Sequence, residues 1–335
     1  MDLSTNYLGL RLSNPFVAGP SHITGNSDTI NLLEEAGIGA VVLPPLFEEQ
    51  LRSMEMELFR SIEAPAESFP EALSYFAEPE HAIIDVEGYV THVADLKKHA
   101  SVPVIAAINA VTRDRWIDYA KRMEDAGVDA LELDFYFVAS DPGQTGDQIE
   151  AGFIDALTAV KGSVRIPVSV KVTPFHTSLA CFARNLEKAG ADGIVLFHRF
   201  YEPDIDIENL EPISRFKLSD SRELLLRLRW LAIISAKTAC CLAASGGIHS
   251  VEDTIKAIMT GADCVQITSV ILKNGAECVK TLREGIEAWL TRNEYGSLSQ
   301  MRGSMNLERI PDPAAFSREH YMHMMGAFSR VWGGK

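Results

Sequence analysis

The sequence predicts a (β/α)8 barrel of the TIM type, folded as a single α/β domain. Three observations carry that prediction. Short runs that are apolar throughout alternate with longer amphipathic segments along most of the chain, the pattern of a parallel sheet covered on both faces. The apolar runs number eight, at 14–19, 39–44, 103–109, 129–135, 166–172, 192–198, 240–247 and 263–269, as a closed parallel barrel requires. Three helical segments end in one device, DAGVDA, KAGADG and MTGADC, a glycine cap followed by a short turn into a strand. An open doubly wound sheet would produce similar local patterns, but eight strands in one rhythm favour closure.

The elements follow in order. NPFVAG (14–19) is the first strand, and a helix runs from Ser27 to Ala36, with Ser27 and Asp28 as caps and Gly37 as its stop. GAVVLP (39–44) is the second strand. From about 47 to 87 the rhythm is interrupted by an irregular insertion containing Pro65, Pro70 and Pro79. A helix at 88–100 leads to the strand PVIAAIN, and helices at 113–127, 147–163, 178–190, 221–237 and 250–261 each precede a strand. A last helix from about 274 to 292 closes the barrel at residue 292, and 293–335, with Pro311 and Pro313, reads as a C-terminal extension wrapping it.

Composition narrows the function. The 335 residues are 47% hydrophobic, enough for a sizeable core. With 46 acidic against 31 basic residues the net charge is −15, which makes nucleic acid and anionic membranes poor partners. The start, MDLSTNYLGLRLSNP, lacks a basic stretch followed by an apolar core. No apolar run approaches the roughly 18 residues that span a bilayer. The five cysteines have no metal-type spacing. The expectation is a soluble, reduced, cytoplasmic protein without a metal centre.

In a barrel, chemistry sits at the C-terminal ends of the strands. Those ends offer Gly19 and Ser21, Asn109, Asp134, Lys171, His198, Gly246-Gly247 and Thr268-Ser269. Lys171 sits within an otherwise apolar strand, so it must be paired. Its partner is either an anionic or electron-rich ligand, or a carboxylate on the neighbouring strand such as Glu132 or Asp134. Gly246-Gly247 and Thr268-Ser269 end strands seven and eight, where barrels commonly bind phosphate; each pair alone could be an ordinary turn. His198 is as readily structural as ligand-facing. Ser140, in the loop FVASDPGQTG, could serve as a proton acceptor, or as a cap within an Asx-type turn.

These motifs, in this order, resemble the flavin-dependent dihydroorotate dehydrogenase family. NPFVAGPS (14–21) is similar to the family's opening NP motif, ALELDF (130–135) to its ELN strand and VSVKVTPF (168–175) to its VKL-PP motif. SGGIHSVEDTIKAIMTGADCVQITS (245–269) is similar to its phosphate region. The similarity covers roughly residues 5 to 292. It implies an FMN cofactor, with Lys171 near the flavin ring as a catalytic residue and Gly246, Gly247, Thr268 and Ser269 on the phosphate. It also implies that Gly19 and Ser21 pass close to the flavin, with Asn109 and Asp134 on its polar edge and His198 nearby.

The departures lie on the substrate side. Leu43-Pro44-Pro45 replaces the family's Thr-Lys-Ser, Asp134 replaces the ELN asparagine, and the position of the Cys or Ser base falls on Phe137, leaving Ser140 as the nearest alternative. The asparagine-rich substrate loop, due near 81–90, has no counterpart in HAIIDVEGYV. The implied activity is oxidation of dihydroorotate to orotate in pyrimidine biosynthesis. One alternative keeps the flavin with another small-molecule substrate; another is a sugar-phosphate barrel using Lys171 as a Schiff-base amine. The family's habit implies a homodimer, and an electron-transfer partner is left open.

Overall fold

The computed structural model describes residues 1–48, 86–200, 202–213, 217–316 and 321–326. The barrel strands are β1 Phe16–Ala18, β2 Ala40–Val42, β3 Val104–Asn109, β4 Ala130–Asp134, β5 Val168–Val172, β6 Gly193–Leu196, β7 Cys241–Ser245 and β8 Cys264–Ile267. All neighbours pair parallel in chain order, from Val41↔Val104 between β2 and β3 to Ala243↔Cys264 between β7 and β8. Val265↔Phe16 joins β8 to β1 and Val17↔Ala40 joins β1 to β2, so the sheet closes on itself. This is the expected (β/α)8 barrel.

The helices are α1 Ser27–Glu35, α2 Val86–His99, α3 Arg113–Asp125, α4 Gly146–Lys161, α5 Leu179–Lys188, α6 Leu224–Ile234, α7 Val251–Thr260, α8 Ser269–Asn274, α9 Cys278–Arg292 and the short α10 Leu298–Met301. Strand alternation sorts the core into two layers. In β3, Val104, Ala106 and Ile108 face the helices, while Ile105 and Ala107 join a separate cluster with Val17, Ala40, Val195 and Cys264. That second cluster fills the barrel interior. Tyr7, Leu8 and Leu12, from an antiparallel hairpin of Thr5–Tyr7 with Leu10–Leu12, belong to it and plug one end. Leu8 and Gly9 turn this hairpin with positive φ at both central positions, as a type I′ turn requires.

Some expected elements differ. The cap of α1 is Asn26, whose side chain accepts a hydrogen bond from Thr29 N, rather than Ser27 or Asp28. The helix expected at 221–237 begins as a 3-10 turn at Ser221–Glu223. The last helix, expected from about 274 to 292, is α9 and starts at Cys278; an additional short helix, α8, precedes it and ends at Gly275, φ +76°. Leu46–Phe47 adds a short strand beside β3, and Asp204–Asp206 pairs antiparallel with Glu211–Ile213 in the loop after β6. Of the irregular stretch, residues 49–85 lie outside the described residues, as does the first half of the region where the asparagine loop was sought. The segment after 293 ties back through Leu298 N to Asp2 O, Met305 N to Met259 O and Leu307 N to Ala232 O. Among the described residues no helix is long and apolar enough to cross a membrane.

Candidate active site

Period-two alternation carries polar residues into the barrel above the apolar plug. Leu131 and Leu133 of β4 pack outward, so Glu132 and Asp134 point inward; the same parity turns Lys171 of β5 and Gln266 of β8 inward. All four are buried, with Lys171 4% exposed and Glu132 fully enclosed. Lys171 Nζ donates to Glu132 Oε1 and to Gln266 Oε1, each at 3.0 Å, and Gln266 Nε2 donates to Glu132 Oε2. The expected carboxylate on a neighbouring strand is therefore Glu132. Burial pushes the Glu132 carboxyl above its ordinary range, Lys171 opposes that shift, and Asp134 reinforces it. The triad satisfies its own charges, as buried ions must.

Above this floor, at the C-terminal ends of the strands where barrels place their ligand sites, opens a cavity. Lys171, Asp134 and Gln266 line its base, His198 and Phe197 one wall, and Gly246, Gly247, Thr268 and Ser269 another. Gly246 and Gly247 take φ of +86° and +82°, a conformation that suits glycine. A Cβ on Gly247 would stand 2.4 Å from Leu224 N, and a Cβ on Gly19 2.5 Å from Thr268 Oγ1. The backbone thus approaches this wall more closely than any side chain would permit.

Residues that the sequence did not single out complete the wall. Ser219 N donates to Ser269 Oγ at 3.1 Å, Gly247 N donates to Ser219 Oγ at 3.4 Å, and His249 Nε2 lies 3.0 Å from the same hydroxyl. Arg227 is 6% exposed and donates to Ser245 O at 2.8 Å and Glu223 O at 2.7 Å. Burial pulls its guanidinium below the usual arginine range. Arg199 pairs with Glu223 at 2.9 Å. Strand parity could have found Gln266, two positions before Thr268 in CVQITS. No local signal marks Ser219 or Arg227, which arrive from the loop after β6 and from α6.

Asp134 is 1% exposed, and neither of its carboxylate oxygens has a hydrogen-bond partner among the described residues. His198 Nε2 stands 3.5 Å from Asp134 Oδ2, and His198 Nδ1 is 3.0 Å from the carbonyl of Arg199. The ring of Tyr136 is tilted on the imidazole at 4.8 Å between centroids.

The predicted residues therefore divide. Asp134, Lys171, His198, Gly246, Gly247, Thr268 and Ser269 line one cavity, and Gly19 abuts Thr268. Asn109 lies just outside that lining, its amide donating to Asp134 O at 2.8 Å. Ser21 begins a 3-10 turn and exchanges hydrogen bonds with Thr24; its neighbour Pro20, not Ser21, lines the cavity. Ser140 is exposed in the loop after β4 and lies outside the cavity lining. Phe137, at the position of the family's base, packs edge-on against Phe153 at 6.4 Å.

Comparison with known proteins agrees with this arrangement. The family model described as dihydroorotate dehydrogenase matches residues 79–290. A dihydroorotate dehydrogenase B (NAD(+)) catalytic subunit of Thermoplasma volcanium is 25% identical over 310 residues, covering 90% of this chain and 98% of its own. One of the same description from Methanosarcina acetivorans is 26% identical over 316 residues, covering 89% and 94%. Another, from Caldicellulosiruptor saccharolyticus, is 28% identical over 226 residues, covering 66% and 75%. The match spans β3 to β8 with Asp134, Lys171, His198, Gly246, Gly247, Thr268 and Ser269 of the cavity lining, and the chain belongs to the dihydroorotate dehydrogenase family, a family of oxidoreductases.

Proposed function

We propose that the chain is an FMN-dependent oxidoreductase of the cytoplasm that oxidises dihydroorotate to orotate in pyrimidine biosynthesis. The observation that carries this reading is one cavity with a buried lysine at its base and two positive-φ glycines facing a Thr-Ser pair on its wall. The residues fit FMN on their own chemistry. Closely approached backbone at Gly19, Gly246 and Gly247, with the hydroxyls of Thr268 and Ser269, suits a phosphate. The Asp134 carboxylate, which only accepts hydrogen bonds, suits an N–H at the polar edge of a flavin ring. Asn109 reaches that edge through the backbone of Asp134, and Ser21 would act through its neighbour Pro20, which lines the cavity.

Bound FMN would supply the hydride acceptor. Lys171, fixed by Glu132 and Gln266, places positive charge at the cavity base, where reduction of a ring adds negative charge. Ser140 is the hydroxyl nearest in sequence to the family's base position, and its use would require the loop after β4 to fold inward. Asp134 for asparagine and Phe137 at the base position support a second reading, in which the same flavin oxidises a different small molecule. The Schiff-base reading of Lys171 draws less support, because its amine is engaged by Glu132 and Gln266 rather than free to attack.

The relatives' description as a catalytic subunit supports a companion subunit that takes the electrons onward, and the family's habit supports a homodimer. The test is anaerobic. Purified protein supplied with FMN acquires flavin absorbance, and dihydroorotate bleaches it. Flavin uptake without bleaching leaves the second reading; failure to take up FMN at all overturns both.

A further inference from the structure

We propose that His198 and Asp134 together are the proton acceptor of this site, with Nε2 of His198 receiving the proton that substrate oxidation releases. The inference rests on the flavin reading and deepens it. Three facts meet at one place. The Arg199 carbonyl, 3.0 Å from His198 Nδ1, can only accept, so Nδ1 carries the ring hydrogen of the neutral imidazole. Nε2 then presents its lone pair. Asp134 Oδ2 stands 3.5 Å away, longer than a good hydrogen bond, and both Asp134 oxygens lack a donor among the described residues. A lone pair and a buried carboxylate face each other across that gap, an arrangement that favours protonation of Nε2. When a proton arrives on Nε2, the gap can close to a charge-assisted hydrogen bond, and the carboxylate becomes the counter-charge of the imidazolium.

The surroundings fit this use. Lys171 is the register partner of Asp134 on the adjoining strand, and Glu132 lies two residues earlier on β4, already paired with that lysine. Arg199 is committed to Glu223, Tyr136 packs on the imidazole, and Lys217 and Arg227 stand elsewhere on the cavity lining. Both members of the pair line the cavity, whereas Ser140 is exposed outside it. The balance is simple. Of two adjacent carbons, one loses hydride with its electron pair to the bound flavin; the other loses a proton to His198 Nε2, and the electrons of that C–H bond form the new C=C bond.

The first test reads the tautomer directly. In flavin-loaded wild-type protein labelled with 15N-histidine, at neutral pH without substrate, the His198 resonance should show hydrogen on Nδ1 and a bare Nε2. That is the less common tautomer of free histidine; hydrogen on Nε2 alone overturns the proposal. In the second test, His198→Gln and Asp134→Asn should each slow substrate-driven bleaching, read per flavin bound, by about 10²- to 10⁴-fold, the usual share of a general base. Undiminished bleaching in His198→Gln, or loss of bleaching in Ser140→Ala alone, overturns it. If either variant fails to fold, the wild-type tautomer still decides. Protein that takes up no flavin defeats the cofactor reading instead, so the two failures are distinguishable.

Discussion

Lys171 and Gln266 stand on strands three apart around the barrel, yet Nζ of the lysine reaches Oε1 of the glutamine at 3.0 Å, and both bind Glu132 between them. The contact spans the barrel interior. It makes the floor of the cavity a closed polar unit whose members cannot be removed singly without leaving a buried group unpaired.

Lys171→Met should therefore destabilise the protein by about 3–5 kcal/mol, the usual cost of stranding one member of a buried ion pair. Adding Glu132→Gln should recover part of that loss, giving a non-additive double-mutant cycle in urea denaturation. The pH dependence carries a sign. The Glu132 carboxyl is raised above 4.5, chiefly by burial. Stability from such a group is fully present below its unfolded value and is lost as pH rises through the folded one. Removing Lys171, which opposes the shift, should extend that loss to higher pH.

Gly247→Ala should cost more than Gly246→Ala. Both positions need positive φ, worth about 1–2 kcal/mol for an added Cβ. At Gly247 the new atom also meets the backbone of Leu224 at 2.4 Å, whereas at Gly246 it meets only the movable end of Arg227 at 2.9 Å. Thermal unfolding of the two proteins, with the fraction of FMN retained after gel filtration, separates the cases.

The clash expected in Gly19→Ala is with one atom, Thr268 Oγ1, while Thr268 Cβ lies at 3.8 Å. Thr268→Ala should therefore restore the stability lost in Gly19→Ala. It should not restore FMN affinity, because the hydroxyl offered to the phosphate is gone. Equal recovery of stability and affinity would remove Thr268 from the phosphate wall.

His249 is held below 6.5, first by burial and then by Lys273. A base with a lowered folded value adds stability that is present above the unfolded value and lost as pH falls through that value toward the folded one. His249→Gln should flatten the stability profile of the unliganded protein in this mildly acidic window. A profile that keeps its slope would place the titrating group elsewhere.

Much of the barrel was legible because its signals are local. Unbroken apolar runs, amphipathic segments and glycine caps each act within a few residues, and together they place eight strands and their helices. The ends of those runs put Asp134, Lys171 and Thr268 at strand ends. Ser219 and Arg227 were not legible, since nothing near them in the chain marks them as neighbours of Gly247 and Ser245. The hairpin plug was hidden for a similar reason: Tyr7 and Leu12 find their partners on strands distributed along the whole chain.

By itself the sequence determined the fold class, the positions of the strand ends and the residue types gathered there, because periodicity and capping depend on neighbours in the chain. Tertiary structure alone decided how those residues pair. It gave Lys171 to Glu132 and Gln266, left Asp134 without a donor among the described residues and opposite His198, and set Ser140 outside the cavity. Closure of the barrel brings strands remote in sequence within hydrogen-bond reach. A buried charge then depends on whichever group the register places opposite it.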